Sequence, residues 1–345
     1  MKRFFSVSVL GVLGLLILGC GGGGGPQRLN AGGSTFVYPM MSKWSSEYEK
    51  ARGAKVNYQS IGSGGGIQQM TAKTFDFGCT DGPMNDEQLS KARETAGEVV
   101  HVPLVMGAVV PSYNLPGIEQ PLKFTGTVLA DIYLGKVTKW NDKALQDLNP
   151  GVALPDKEIL VVHRSDGSGT TYIWVDYLSK VSPEWKTKVG VGTSVNWPAG
   201  VGQKGNEGVA GQVKRSAGAL GYVELIYALQ NDMRYGLVQN KEGAFIKATL
   251  ESVTAAGEAS LANIPDDLRY SITDSAGKDS YPVSGTTWAV IYVNQPARTG
   301  QQVVDFLRWL THEGQQFTTE LHYSRLPQGL VARVDEKLNQ VKVSK

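Results

Sequence analysis

Three stretches of the 345-residue chain share one local pattern. GGSTFVYP (32–39), IGSGGGIQQM (61–70) and RSDGSGTTYIW (164–174) each pass from a β-like run, through hydroxyl-bearing and glycine residues, into a helical spacing. Strands that alternate with helices in this way build an α/β architecture with largely parallel sheets. The rest of the chain keeps to the alternation. KVNYQSIG (55–62) has a period of two, with Val56, Tyr58 and Ser60 on one face. PMMSKWSSEYEKA (39–51) predicts a helix with Pro39 in its first turn and Met41, Trp44 and Tyr48 on one side. GGIQQMTAK (65–73) predicts a short helix, and EVVHVPLVMGAVVPSYN (98–114) a long apolar extended run. Further helices are expected over 127–140 and 300–321, and strands over 158–163, 218–224 and 286–294. No repeat of fixed period is present.

The N-terminus is a separate object. Lys2 and Arg3 precede an apolar run from Phe4 to Leu18, shorter than the ~20 residues a spanning helix needs. The run ends in ILGC (17–20), so residues 1–19 have the layout of a signal peptide. ILGC resembles a bacterial lipobox, which implies a lipidated Cys20, and GGGGGP after it makes residues 20–27 a flexible tether reaching about 15 Å. An ordinary signal peptide containing a cysteine is the plainer alternative. Loss of Lys2 and Arg3 takes the formal charge from +2 to 0, and a neutral body without a basic block gives no electrostatic reason to expect nucleic acid. With Cys20 lipidated, Cys79 is alone and no disulfide framework exists.

Each junction places unpaired backbone N–H groups, backed by the positive end of a helix dipole, at a point where glycine admits close approach. Such a helix start binds anions. Plain N-capping accounts for any one of the three; all three together, one led by an arginine, favour an anion pocket. Arg164 follows the apolar ILVV run, which places it at a strand's carboxyl end, where α/β proteins bind ligands. Its planar fork matches a tetrahedral oxyanion. Asp166 either buttresses Arg164 or makes an Asx-turn with Gly167. Asp81, in DFGCTDGPM (76–84), is either a turn residue or an acceptor facing the pocket. In the second case it would repel a fully ionised anion and accept a hydrogen bond from one that keeps a proton. Phosphate near neutral pH keeps at least one and sulfate keeps none, so one acid in a ring of donors could choose between them.

GGSTF, YQSIGSGGGIQQM, DFGCTDGPM, DIYLGKVTKWND, RSDGSGTTYIWVDYL and GALGYVE, in that order over residues 30–225, resemble the PstS family, the phosphate-binding proteins of bacterial phosphate ABC transporters. YPVSGTTWAVIYVN and the closing helices match more loosely. The resemblance implies a two-lobed periplasmic-binding-protein-like fold of type II. The lobes would be residues 28–107 with 285–345 and residues 108–284, joined by two hinge crossings near 106–108 and 282–285, with the ligand in the interlobe cleft. It implies that Thr35, Phe36, Ser63, Ser168, Gly169 and Thr170 donate to phosphate, that Arg164 pairs with its oxygens, that Asp81 accepts its proton, and that Asp166 positions Arg164. It further implies a monomer without cofactor, held at a bacterial membrane by its lipid in the periplasm or at the cell surface, delivering phosphate to membrane permease subunits. Val37 stands where the family often has proline, and Cys79 where serine or alanine is common, which makes it a packed small residue.

The competing readings are weaker. A binding lipoprotein for another tetrahedral oxyanion, such as sulfate or molybdate, is opposed by Asp81, whereas arsenate fits the same geometry. A phosphate-ester hydrolase would need His163, Asp166 and Ser168 to act as a triad from within six residues, and neither G-x-S-x-G nor S-x-x-K is present. The histidines at 101, 163, 312 and 322 have no metal-ligand spacing. GVGQKG (200–205) fits G-x-G-x-x-G, but no buried strand precedes it, so a flexible loop before the NEGVAGQVKRS helix is expected.

Overall fold

The structure is a computed structural model that describes residues 28–344; the signal peptide, Cys20 and the tether lie outside the described residues. The chain opens with strand β1 (Arg28–Gly33), helix α1 (Tyr38–Arg52), β2 (Lys55–Ser60), α2 (Ser63–Thr71), β3 (Phe77–Thr80), α3 (Asp86–Ala96) and the long β4 (Val99–Tyr113). It continues through β5 (Lys123–Phe124), α4 (Gly126–Tyr133), α5 (Lys143–Leu148), β6 (Leu160–Arg164), α6 (Gly169–Val181), α7 (Pro183–Lys188), β7 (Val201–Gln203), α8 (Gly205–Arg215), β8 (Ala219–Glu224) and α9 (Leu225–Gln230). Three short strands, β9 (Arg234–Tyr235), β10 (Leu237–Gln239) and β11 (Phe245–Ile246), lead to α10 (Leu250–Ser260) and β12 (Ser284–Tyr292). Then come β13 (Asn294–Gln295), α11 (Gly300–Thr311), α12 (Gln328–Asn339) and β14 (Lys342–Val343).

The architecture is two-lobed α/β. One sheet runs β2-β1-β3-β12-β4-β8-β6-β7, with β9 also on β4. β1 pairs in parallel with β2 and β3, and β6 in parallel with β7 and β8. The two parallel blocks are joined by the antiparallel strands β4 and β12. At a rise of ~3.3 Å per residue, the fifteen residues of β4 extend about 50 Å, enough to serve both lobes. Its first part, up to Ala108, pairs with β12; Val109–Tyr113 pairs with Glu224–Leu220 of β8. A bulge sets Val105 opposite Thr287 and Pro103 opposite Trp288, with Leu104 the extra residue. Proline lacks a ladder donor and is tolerated at such a bulge. The Leu104 carbonyl is satisfied by Gln315 Nε2 at 2.9 Å.

Local chemistry explains the elements that frame the cleft. α1 buries Met41, Trp44 and Tyr48, has Pro39 in its first turn, and ends at Gly53 with φ of 71°, a left-handed value that glycine adopts without strain. α6 is capped by Ser168, whose Oγ accepts the Thr171 N–H at 3.0 Å. Two expected helices are shorter than their patterns. The 127–140 run ends at Tyr133, because Gly135 turns the chain with φ of 75°. The 300–321 run stops at Thr311, where His312 leaves helical geometry (ψ −96°), and continues only as 3₁₀ turns. The expected loop at 200–205 holds an edge strand instead: Val162, His163 and Arg164 pair with Val201, Gly202 and Gln203.

Candidate functional site

The three junctions converge. The Ser34–Val37 turn follows β1, Ser63 opens α2, Asp81 follows β3, and Arg164 ends β6 just before α6. Strand register produces this: Gly33 of β1 lies opposite both Ser60 and Cys79, so the chain leaves three neighbouring strands at one edge.

Thr35, Phe36, Ser63, Asp81, Arg164, Ser168, Gly169 and Thr170 are all buried, and the structure brings them together. Arg164 Nη1 donates to Thr35 Oγ1 at 3.1 Å. Its Nε and Nη2 donate to the two oxygens of Asp166 at 2.7 and 2.5 Å, so Asp166 buttresses the guanidinium in a bidentate pair. Asp166 Oδ1 also accepts the Gly205 N–H at 3.1 Å. Burial works to raise the Asp166 carboxyl, but the hydrogen bonds and charge of Arg164 hold it below its ordinary value. Ser63 Oγ accepts the Gly169 N–H at 3.0 Å. The Ser168 amide is turned away, donating to the Thr193 carbonyl at 2.7 Å, so this residue keeps only its hydroxyl hydrogen for a guest.

Asp81 faces the cluster. Ser34 Oγ lies 2.6 and 2.7 Å from its two oxygens, and Thr287 Oγ1 donates to Oδ1 at 2.7 Å. Ser63 Oγ is 3.4 Å from Oδ2. Burial pushes the carboxyl up to about 6, against the pull of these hydroxyls and of the Arg164 charge. With one cation against two carboxylates, the cluster cannot hold an anion by net charge. It must do so by aimed N–H and O–H dipoles, as helix starts do.

The two sides touch. Gly64 N–H donates to the Gly167 carbonyl at 2.9 Å. A Cβ on Gly62 would lie 2.5 Å from Asp166 Oδ2, and one on Gly169 would lie 2.4 Å from Asp81 Oδ2. Two tyrosines peg the first turn: Tyr227 donates to the Thr35 carbonyl and Tyr323 to the Phe36 carbonyl, each at 2.6 Å.

Sequence reasoning missed Ser34, Thr287, Asn206, Gly205 and the two tyrosines. Ser34 stood inside a motif already singled out. Thr287 meets Asp81 from 206 positions away, and no spacing rule connects them. His163 is no partner of Ser168: its Nδ1 is 3.0 Å from the Arg164 carbonyl oxygen, and its ring stacks on Trp197 at 4.7 Å. Cys79 is fully buried and burial raises its thiol, as a packed small residue requires. Among the described residues, no group of three or more His, Cys, Asp or Glu gathers to hold a metal ion.

A family model described as a PBP superfamily domain matches residues 22–313. The phosphate-binding protein PstS of Xylella fastidiosa is 46% identical over 310 residues, which cover 89% of this chain and 84% of that one. The protein of the same name from Pasteurella multocida is 46% identical over 311 residues, covering 89% of each chain. That of Methanocaldococcus jannaschii is 37% identical over 331 residues, covering 87% and 85%. In fold, the chain is similar to a high affinity periplasmic phosphate-binding protein solved with phosphate (TM-score 0.72, 20% identity, 90% and 93% covered). It is also similar to an ABC-type phosphate transport receptor from Vibrio cholerae (TM-score 0.56, 18% identity, 87% and 100% covered).

Proposed function

The chain belongs to the PstS family of phosphate-binding proteins, and from that premise we propose that it captures inorganic phosphate outside the cytoplasm and hands it to an ABC transporter without breaking any bond. One observation carries the reading: the buried carboxyl of Asp81, set among the hydroxyls of Ser34 and Thr287 and within the field of Arg164. In this scheme Thr35, Phe36, Ser63, Ser168 and Thr170 donate to the phosphate oxygens, Gly169 does so once its N–H leaves Ser63 Oγ for the guest, Arg164 pairs with them, and Asp81 accepts the remaining proton. Asp166 fixes the guanidinium plane. Residues 28–107 with 285–345 act as one lobe and 108–284 as the other. A guest gripped from both sides favours the closed state over the open one, and periplasmic binding proteins are a standard instance of such closure. The closed form then docks on membrane permease subunits. Cys20 tethers the body through lipid; among the described residues no helix is long and apolar enough to cross a membrane.

The test is calorimetric titration of the protein with phosphate and with sulfate at pH 8. Saturable binding of phosphate with sulfate at least ~10⁴-fold weaker is expected, the discrimination available when one buried polar group is left unmatched. Equal affinity for the two anions would overturn the assignment.

A further inference from the structure

One fully buried polar side chain next to the cleft has no role in the scheme above. Asn206, the second residue of α8, has no exposed surface. Its Nδ2 donates to Thr35 Oγ1 at 2.8 Å and to Thr170 Oγ1 at 2.9 Å. Its Oδ1 accepts the Glu224 N–H at 2.9 Å. The backbone N–H of Glu224 can only donate, so the amide cannot be flipped: the oxygen must face β8 and the nitrogen the two threonines.

This orientation restricts the threonine hydrogens. A hydroxyl has one hydrogen and two acceptor positions. Thr35 Oγ1 receives Asn206 Nδ2 at 2.8 Å, Arg164 Nη1 at 3.1 Å and, at the longer 3.3 Å, the Asn206 backbone N–H, so its acceptor positions are filled and its hydrogen is left to be donated elsewhere. Thr170 Oγ1 receives the other Nδ2 hydrogen, which fills one of its two acceptor positions and removes that direction from its hydrogen. Thr35 lies on one side of the cleft and Thr170 on the other, and a single amide reaches both: on Thr35 it adds to Arg164 and to the Asn206 backbone N–H, and on Thr170 it is the one donor among the described residues. For an acceptor-rich guest the difference is between attraction and repulsion: an O–H aimed at an oxyanion binds it, a lone pair opposes it.

We infer that Asn206 is a positioning residue for phosphate, one whose amide hydrogens occupy lone pairs of the Thr35 and Thr170 hydroxyls and so favour their hydrogens facing the guest, with its larger effect at Thr170. The inference rests on the phosphate reading of the site and adds a residue that acts through others. A carboxylate at position 206 would reverse the pattern, since it accepts where the amide donates and would draw both hydroxyl hydrogens away from the guest. A side chain that merely filled space would behave differently: Asn206→Asp would keep the shape, and Asn206→Ala would be the worse of the two.

The experiment is phosphate titration of the full chain at pH 8 for the parent, Asn206→Ala, Asn206→Asp, Thr170→Val and the double variant Asn206→Ala/Thr170→Val, each checked for a cooperative melt. The parent should bind. Asn206→Ala should lose at least about tenfold in affinity and Asn206→Asp more. Thr170→Val should cost at least about fivefold less in the Asn206→Ala background than in the parent, because without the amide neither lone pair of the hydroxyl is occupied and its hydrogen is no longer directed. Additive losses from Asn206→Ala and Thr170→Val, or parent-like binding by Asn206→Ala, would overturn the inference while leaving the phosphate reading intact. A parent that binds no phosphate would overturn both. If Asn206→Asp fails to fold, the alanine cycle alone decides.

Discussion

Burial drives the Asp81 carboxyl up to about 6, while the hydroxyls of Ser34 and Thr287 and the charge of Arg164 pull it down. Above that pH it is a pure acceptor and presents an unpaired lone pair to sulfate. Below it, the carboxyl carries a hydrogen that sulfate can accept. The ratio of phosphate to sulfate affinity is therefore expected to fall at least about tenfold between pH 8 and pH 5, measured by competition titration. A ratio that stays constant would mean that Asp81 does not decide the selectivity. The residues behind this argument differ in how visible they are from sequence. Asp81, Ser63 and Arg164 lie in short local patterns with a chemical rationale of their own, a turn carboxylate, a helix-opening hydroxyl and a strand-end guanidinium. Thr287 and Asn206 carry no such sign. Each is an ordinary polar residue in its own segment, and tertiary contact alone brings them to Asp81 and Thr35.

The first turn of α6 packs directly beneath the Asp81 turn. A Cβ on Gly169 would come within 2.5 Å of the Asp81 Cβ and backbone nitrogen, and 2.4 Å of Oδ2. Gly169 has no left-handed φ, so alanine costs its own backbone little. The clash exists only where the two sides meet. Gly169→Ala should melt near the parent without phosphate, and should lose the rise of about 5 °C that phosphate at a hundredfold excess over Kd gives the parent. Thermal scans with and without phosphate check this, and a full phosphate-induced rise in Gly169→Ala would show that the contact is not needed for closure. Element type was legible wherever a clear period coincided with burial, as in α1, β4 and α6. Element ends were not. The 127–140 pattern runs past Gly135 because Val137 and Trp140 are still buried, though from a turn. The edge strand β7 was invisible because three mostly solvent-facing residues have no apolar signature, and only their pairing with β6 makes them a strand.

The crossing strands β4 and β12 tie the two lobes together, and a fully buried acid sits beside them. Glu224 lies opposite Val109 of β4; its Oε2 accepts the Ile226 N–H at 2.8 Å and is 3.3 Å from the Tyr323 hydroxyl. Its Oε1 has no hydrogen-bond partner among the described residues. Burial, with the nearby charge of Asp81 adding to it, holds this carboxyl well above the usual range. The folded protein therefore keeps a proton that the unfolded chain releases near pH 4.3. Stability contributed in this way is complete below that pH and is lost as pH rises through the folded value. Asp81 acts with the same sign between its ordinary 3.8 and about 6. His101 has the opposite sign: buried, with Nε2 accepting the Met84 N–H at 3.0 Å, it is pushed down to about 4, so its share is present above pH 6.5 and lost as pH falls towards 4. Glutamine has the shape of a protonated glutamate and cannot ionise. Glu224→Gln is thus expected to melt like the parent at pH 4 and higher than the parent at pH 8, with the gap opening steadily between. Paired melts of phosphate-free protein across that range isolate the effect, because the Asp81 and His101 contributions are common to both and cancel in the difference. A gap that did not change with pH would mean that Glu224 is charged in the fold. The buried junction between the lobes would then hold an ion, paired in a way the observed hydrogen bonds do not provide.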